Sequence, residues 1–600
     1  MYKKVLSGLL AAVLAASLFS ACGGSPAQAD GAELAALALS PIGTVVTTVS
    51  DDSLTGEEIP VVLSDSGSSC GSSSVKISGS TITITAAGDY ILSGSLSDGQ
   101  ILVDAPEDAK VRLILNGVSI IKNGHAAIYA VSADKLVLST LEGSENLLQS
   151  AGEFIQTDDN KVDATVFAKC DLTLSGDGVL NISCLTAHAV VSKDDLKLKS
   201  GTVNLEAACK GLCGKDSVVI EGGVLNADVG TDGICASNTE DGGKGTIRIE
   251  DGSVNLLCQK DGLDATGDIL LAGGETVISA GSGQEGKGIQ SDACITVSGG
   301  RHTVSSVDDA IHASVSVDVS GGELLLSTGD DGVHADAALT VSGGSLTVSQ
   351  SYVGLEAQVI TVSGGTIRVN ARDDGFNAAG GNDGSNDRGF FGGDPFDTDS
   401  DASLTITGGT ILVNAEGDGL DSNGYLTMSG GTVYVSGPTN NGNGALDYGI
   451  DAVISGGTIL AAGAAGMAEN FGQNSTQGSI LVNLSSAQAA GSRVALLDSA
   501  RNILVSFEPE KSYSSVVISC PGLSVGETYT VTAGTENQSV TLSSLIFGSG
   551  GMMGGMRAGG FGIMPGGDMP DGFRRGGFSQ GGFPPPDASR PGESPDPGQN

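Results

Sequence analysis

The chain contains no tryptophan, and its whole aromatic content is 4%. That scarcity argues against a broad aromatic platform on which flat ligands stack. Lysine and arginine are also thin, 29 against 70 aspartates and glutamates, for a formal charge of −41. No basic patch of the kind that binds nucleic acid is present, so nucleic acid is not an expected partner. Ten cysteines in 600 residues are too few for a disulfide scaffold, and no Cys-x-x-Cys pair has a matching second half, which argues against a zinc site. No helical period runs through the body of the chain.

What the sequence has instead is glycine, 93 residues of it, inside a phrase that recurs. From Gly176 to Gly457 a short apolar strand, a Ser-Gly-Gly turn, a second short strand and an acidic Asp-Gly corner follow one another repeatedly. The second glycines of successive turns are Gly300, Gly322, Gly344, Gly365, Gly409, Gly431 and Gly457, spaced by 22, 22, 21, 44, 22 and 26 residues. The interval of 44 holds one repeat and an insertion. A fixed period of this length predicts a solenoid in which each unit buries its apolar face only against its neighbours. The predicted fold is therefore all-β, a parallel β-helix over residues 71–476 with an insertion loop at 378–401. Residues 477–547 lose the rhythm and read as a small antiparallel β domain that caps the open end. Residues 548–600 are rich in Gly, Met, Phe and Pro and cannot build a core, so disorder is expected there.

The first 22 residues set the expected address. Met1-Tyr2-Lys3-Lys4 is basic, Val5 to Phe19 is apolar but short for a membrane span, and Ser20-Ala21-Cys22 follows. The stretch Leu18 to Cys22 resembles a bacterial lipobox, with Cys22 as the lipidated residue; Phe19 departs from the usual Leu. An ordinary cleaved secretory signal is the alternative. Residues 23–70 read as a flexible tether, so the expected location is the outer face of the cell membrane, which the protein touches only through its anchor. The remaining cysteines read as small buried apolar residues at coil positions. Cys213 and Cys235 each stand two residues after a corner glycine, Gly211 and Gly233, so neighbouring coils stack them, and a thiol pair or a disulfide both fit.

Aligning the corner glycines yields acidic columns. Just before each glycine, or before Ala310 in its place, come Asp232, Asp261, Lys287, Asp309, Asp331, Val353, Asp374, Asp418 and Tyr448. Two residues after it come Cys235, Asp264, Gln290, His312, His334, Glu356, Asn377, Asp421 and Asp451. Two residues before it stand Asp308, Asp330, Asp373 and Asp447. Stacked coils lie about 4.8 Å apart, where carboxylates repel one another unless a cation sits between them. Ca²⁺, which takes six to eight oxygen ligands from carboxylates, amides, carbonyls and water, suits such a ladder. Asp-Gly also makes tight turns by itself, which accounts for one aspartate per corner but less well for the paired aspartates. His312 and His334 share a column and read as stacked imidazoles, with a transition metal or a pH-sensitive pair as alternatives.

A more specific signal precedes the regular repeats. Ile82 to Gly94 (Ile-Thr-Ile-Thr-Ala-Ala-Gly-Asp-Tyr-Ile-Leu-Ser-Gly), Gly99 to Val103, and Val111 to Ile120 (Val-Arg-Leu-Ile-Leu-Asn-Gly-Val-Ser-Ile) resemble the opening coils of a family of secreted bacterial carbohydrate-binding parallel β-helix proteins. The resemblance runs on through Ala126 to Tyr129 and Ala133 to Leu136 into the Ser-Gly-Gly repeats, covering about residues 75 to 476. It implies a right-handed helix similar to polysaccharide lyases, bound calcium, and an acidic plant glycan or cellulose-like polymer as partner. The acidic corners, with Asp261, Asp264, Asp308, Asp309, Asp330, Asp331, Asp373, Asp374, Asp418 and Asp421, are the positions onto which that calcium binding carries over; Asn377, Asp447 and Asp451 extend the columns. Calcium shared between protein and glycan carboxylates turns the repulsion between two polyanions into a bridge.

Catalysis stays open at this point. Eliminative cleavage of a uronide needs a metal to acidify the sugar proton and a base beside it. Lys260, Lys287 and Arg372 stand next to the acidic columns, though each is more simply an ion-pair partner. A monomeric surface adhesin without turnover is the third class. Tyr352 and Tyr448, with Phe390 and Phe391 in the insertion, are the aromatic residues placed to touch a sugar ring.

Overall fold

The computed structural model describes residues 54–282, 285–379 and 399–548. Cys22 with its leader, the core of the insertion with Phe390 and Phe391, and the tail beyond 548 lie outside the described residues.

Each regular coil carries three strands. In one coil these are Ile311–Ala313, Ser316–Val319 and Glu323–Ser327. Alternation along each strand turns Ile311, Ala313, Val317, Val319, Leu324 and Leu326 inward, none more than 1% exposed. The next coil sets Val333, Ala335, Leu339, Val341, Leu346 and Val348 directly against them in parallel register. Burial of each larger side chain is worth about 1.5–3 kcal/mol, and the pattern repeats over a β-solenoid of about 15 turns. The chain is thus a parallel β-helix, as its period predicts.

The Ser-Gly-Gly turn needs both glycines for different reasons. A Cβ on Gly343 would lie 2.3 Å from the Ser320 carbonyl oxygen of the preceding coil, whereas Gly344 has φ of +74°. One position is forced by close stacking and the other by backbone conformation.

The stack starts earlier than the repeat suggests. Ile59–Leu63 pairs in parallel with Tyr90 to Gly94 and forms a hairpin with Ser69–Cys70. The segment from Ile59, read as tether, therefore belongs to the first coil, with Val61 and Leu63 buried. No Ser-Gly-Gly turn marks this strand, and Pro60 disguises it. At the other end, Ile459 to Gly463 pairs antiparallel with Ser515 to Ser519, which pairs with Ser479 to Asn483. A separate sheet joins Val494–Leu497, Ile503–Phe507, Thr528–Ala533 and Glu536–Thr541. Leu460, Ala462, Ile480, Ile518 and Val531 share one core, so the cap continues the solenoid's last sheet and covers its edge.

Candidate functional site

The corner strands set the outer column. Its register runs Leu102, Tyr129, Phe167, Val191, Cys213, Cys235, Asp264, Gln290, His312, His334, Glu356, Asn377, Asp421 and Asp447. The first half is apolar and packs under the segment around Phe154 to Val162, where the Tyr129 hydroxyl donates to Asp158 at 2.5 Å and Asn160 donates back at 2.7 Å. The second half carries the acids and imidazoles. Asp447, not Asp451, ends the column. Ala445 takes the place aligned with Gly419, and Asp451 opens the next strand opposite Tyr425. The longer turn between Ser436 and Leu446 moves the corner forward of Gly449, so the glycine alignment fails in this coil.

The inner column, buried at Asp232, Asp261, Asp309 and Asp331 and half-buried at Asp374 and Asp418, is already structural. The Asp261 carboxylate accepts the backbone N–H of Lys287 at 2.9 Å, Asp309 that of Asp331 at 3.0 Å, Asp374 that of Asp418 at 2.6 Å, and Asp418 that of Gly444 at 2.5 Å. Each carboxylate therefore holds the following coil in register. On Asp232, Asp261, Asp309 and Asp331 the second oxygen meets a basic side chain: Lys210 reaches Asp232 at 2.8 Å, Lys260 reaches Asp261 at 2.8 Å, Lys287 reaches Asp309 at 2.5 Å, and His334 Nδ1 reaches Asp331 at 3.1 Å. Burial works against the Lys287 charge, but Asp309 and Asp308 outweigh it and raise its pKa; hydrogen bonding to Asp261 raises that of Lys260. Both lysines are held as ammonium ions, the wrong state for a base. Arg372 spends its guanidinium on the carbonyls of Gly329 at 2.6 Å and Ser351 at 3.4 Å.

Toward the last coils the acids converge differently. Asp374, Asp418 and Asp421 each offer an oxygen within 4.8 Å of the others, and Asp373 adjoins them. Gly417 supplies the space: a Cβ there would lie 2.3 Å from an Asp374 oxygen and 2.5 Å from an Asp373 oxygen. Burial raises the Asp374 pKa well above the carboxylate range, and the charges of Asp418, Asp421 and Asp373 push it further. The Asp373 carboxylate accepts a hydrogen bond from Tyr352, whose pKa rises to about 12. Asn377 stands beside Asp421 in the outer column and donates to Glu356 at 3.2 Å. Asp308, Asp309 and Asp330 form a second group, into which Lys287 inserts, and Asp232, Asp261 and Asp264 a third, served by Lys210 and Lys260.

Tyr352 is 47% exposed and stands beside this edge, whereas Tyr448 packs against the core and donates its hydroxyl to the Asn470 carbonyl at 2.8 Å. Tyr448 is therefore half-buried and tied to the backbone of the following segment. His312 and His334 stack with ring centroids 4.9 Å apart and 9° between planes. Sequence reading missed Lys210, the cation that serves Asp232; it sits one residue before Gly211, in the inner column itself. It also missed a group at a different corner, Asp171, Asp194 and Asp195, for which the run Ser-Lys-Asp-Asp at 192–195 is the only signal.

Comparison with known proteins identifies relatives of this chain. Residues 78–332 match the family model described as carbohydrate-binding domain-containing protein. A protein of that description from Acetivibrio thermocellus is 35% identical over 228 residues, which is 38% of this chain and 78% of the relative. A solved structure titled as a polysaccharide lyase-like protein from C. thermocellum, a gadolinium derivative, aligns at 26% identity over 47% of this chain and 96% of its own, with a TM-score of 0.35. Identity above 30% across more than two thirds of the Acetivibrio relative settles the assignment: the chain belongs to the family of carbohydrate-binding domain-containing proteins.

Proposed function

We propose that the protein binds an acidic, pectate-like polysaccharide through Ca²⁺ held on its acidic corners, at the outer face of the cell membrane to which Cys22 tethers it. The observation that carries this reading is the convergence of Asp374, Asp418 and Asp421 over the side-chain-free Gly417. Asp374, whose pKa burial and the charges of Asp418, Asp421 and Asp373 raise, is stabilised as a carboxylate by a hard divalent cation, and this half-buried cluster offers oxygen ligands of the kind such an ion takes. Calcium supplies there a positive centre that a glycan carboxylate can share.

Binding without turnover is favoured over lyase activity because Lys260 and Lys287 are locked as ammonium ions and Arg372 is committed to backbone carbonyls. The test is retention of the purified protein on polygalacturonate with calcium or with chelator, while ultraviolet absorbance follows unsaturated products. Calcium-dependent retention without absorbance growth is expected. Growing absorbance would establish a lyase, and no retention in either condition would overturn the acidic-glycan reading.

A further inference from the structure

Where the outer column changes from apolar to acidic, two cysteines stand in register on adjacent parallel strands. Cys213 pairs with Cys235, flanked by Leu212 opposite Ile234 and Gly214 opposite Ala236. Their sulfurs lie 2.7 Å apart. Neighbouring strands run about 4.8 Å apart, inside the range of about 4.4–6.8 Å between Cα atoms that a disulfide bridges. Among the described residues this is the one cysteine pair whose sulfurs are in contact. We propose that Cys213 and Cys235 form an inter-coil disulfide that closes one full turn of the solenoid.

The bond forms by thiol–disulfide exchange with a disulfide oxidant such as oxidised glutathione or an exported oxidoreductase. Two S–H bonds and the oxidant's S–S bond break, one new S–S bond forms, and two electrons and two protons pass to the oxidant's sulfurs, leaving two thiols. The adjacent Cys235 thiol, followed by burial, pushes the Cys213 pKa well up, so the reduced Cys213 offers little thiolate for repeated exchange. That character suits a structural cross-link and not a catalytic dithiol. Its place matters for the acidic edge as well. Cys235 adjoins Asp264 in the column, and Lys210, three residues before Cys213, holds Asp232 at 2.8 Å and Asp264 at 3.7 Å.

The test uses the purified full-length chain incubated with oxidised glutathione, denatured, alkylated with iodoacetamide without reductant, digested and read by mass spectrometry. Expected is a peptide pair joined at Cys213 and Cys235, lighter than the two thiol peptides by two hydrogen atoms and separated by reduction. Recovery of both cysteines in alkylated form would overturn the proposal. Thermal unfolding provides a second readout: reductant should lower the midpoint of the oxidised wild type but leave a Cys213→Ser, Cys235→Ser double variant unchanged. An equal reductant effect on both would overturn the assignment of the cross-link to this pair.

Discussion

The Asp309 carboxylate accepts the backbone N–H of Asp331 from the following coil at 3.0 Å, and with its other oxygen it takes Lys287 at 2.5 Å and His312 Nδ1 at 2.9 Å. One side chain thus fixes inter-coil register, balances a buried ammonium and orients an imidazole. Replacing it with alanine leaves a buried N–H without its acceptor and strips Lys287 of its nearer carboxylate, Asp308 remaining at 3.1 Å. Complete loss of one partner of a buried ion pair costs about 3–5 kcal/mol, and the remaining Asp308 places this loss at the lower end of that range. Asp309→Ala should lower the denaturant midpoint by that equivalent, and Asp309→Asn, which keeps an acceptor for the N–H, by less.

The same contacts set an acid limit. Burial works against the Asp309 charge, but His312 and Lys287 prevail and lower its pKa to about 2. A depressed carboxylate stabilises the fold above its unfolded value, about 3.8 to 3.9, and that contribution is lost as pH falls through about 2. Thermal midpoints measured between pH 4 and pH 2 should therefore fall, and Asp309→Asn should flatten this part of the profile.

His334 works in the opposite direction at the alkaline side. Burial disfavours its charge, yet the Asp331 hydrogen bond and the carboxylates of Glu356 and Asp309 raise its pKa to about 9; Asp336 also lies 3.4 Å from its Nε2. A raised histidine contributes fully below its unfolded value of about 6.5 and loses that contribution as pH rises through about 9, a difference of up to about 3 kcal/mol. Asp331, whose pKa burial raises, titrates with the same sign. Unfolding midpoints should decline from pH 6.5 to 9 in the wild type, and His334→Gln should remove the His334 share of that slope and leave the Asp331 share.

Period and glycine placement made the solenoid legible, because each turn repeats the same two demands that Gly343 and Gly344 answer. Legibility failed where those marks are missing: at Ile59–Leu63, which has no Ser-Gly-Gly turn, and at Asp447, where a longer loop displaces the corner from Gly449. The acidic columns were visible as a spacing, but their division of labour was not. Only the side-chain geometry shows that the inner aspartates bind backbone N–H groups of the next coil, and that Lys210, Lys260 and Lys287 neutralise the earlier clusters. Sequence spacing places a carboxylate on an edge; it does not say which cation reaches it.

Calcium should act most strongly at the Asp374 cluster, and Gly417 offers a variant that leaves every acidic residue in place. A methyl group there would sit 2.3 Å and 2.5 Å from oxygens of Asp374 and Asp373, so Gly417→Ala must spread the two carboxylates. Apo protein should lose stability as pH rises and Asp374, whose pKa burial and its acidic neighbours raise, is forced to ionise. Calcium at about 100 times its dissociation constant should restore about 2.7 kcal/mol if it binds only the folded chain. Differential scanning calorimetry across pH, with calcium or chelator, measures both effects. Gly417→Ala should weaken calcium binding about tenfold or more, equivalent to about 1.4 kcal/mol, and Asp374→Asn should remove the Asp374 share of the pH slope and abolish the calcium response. A full calcium response in Asp374→Asn would move the ion to one of the other acidic corners.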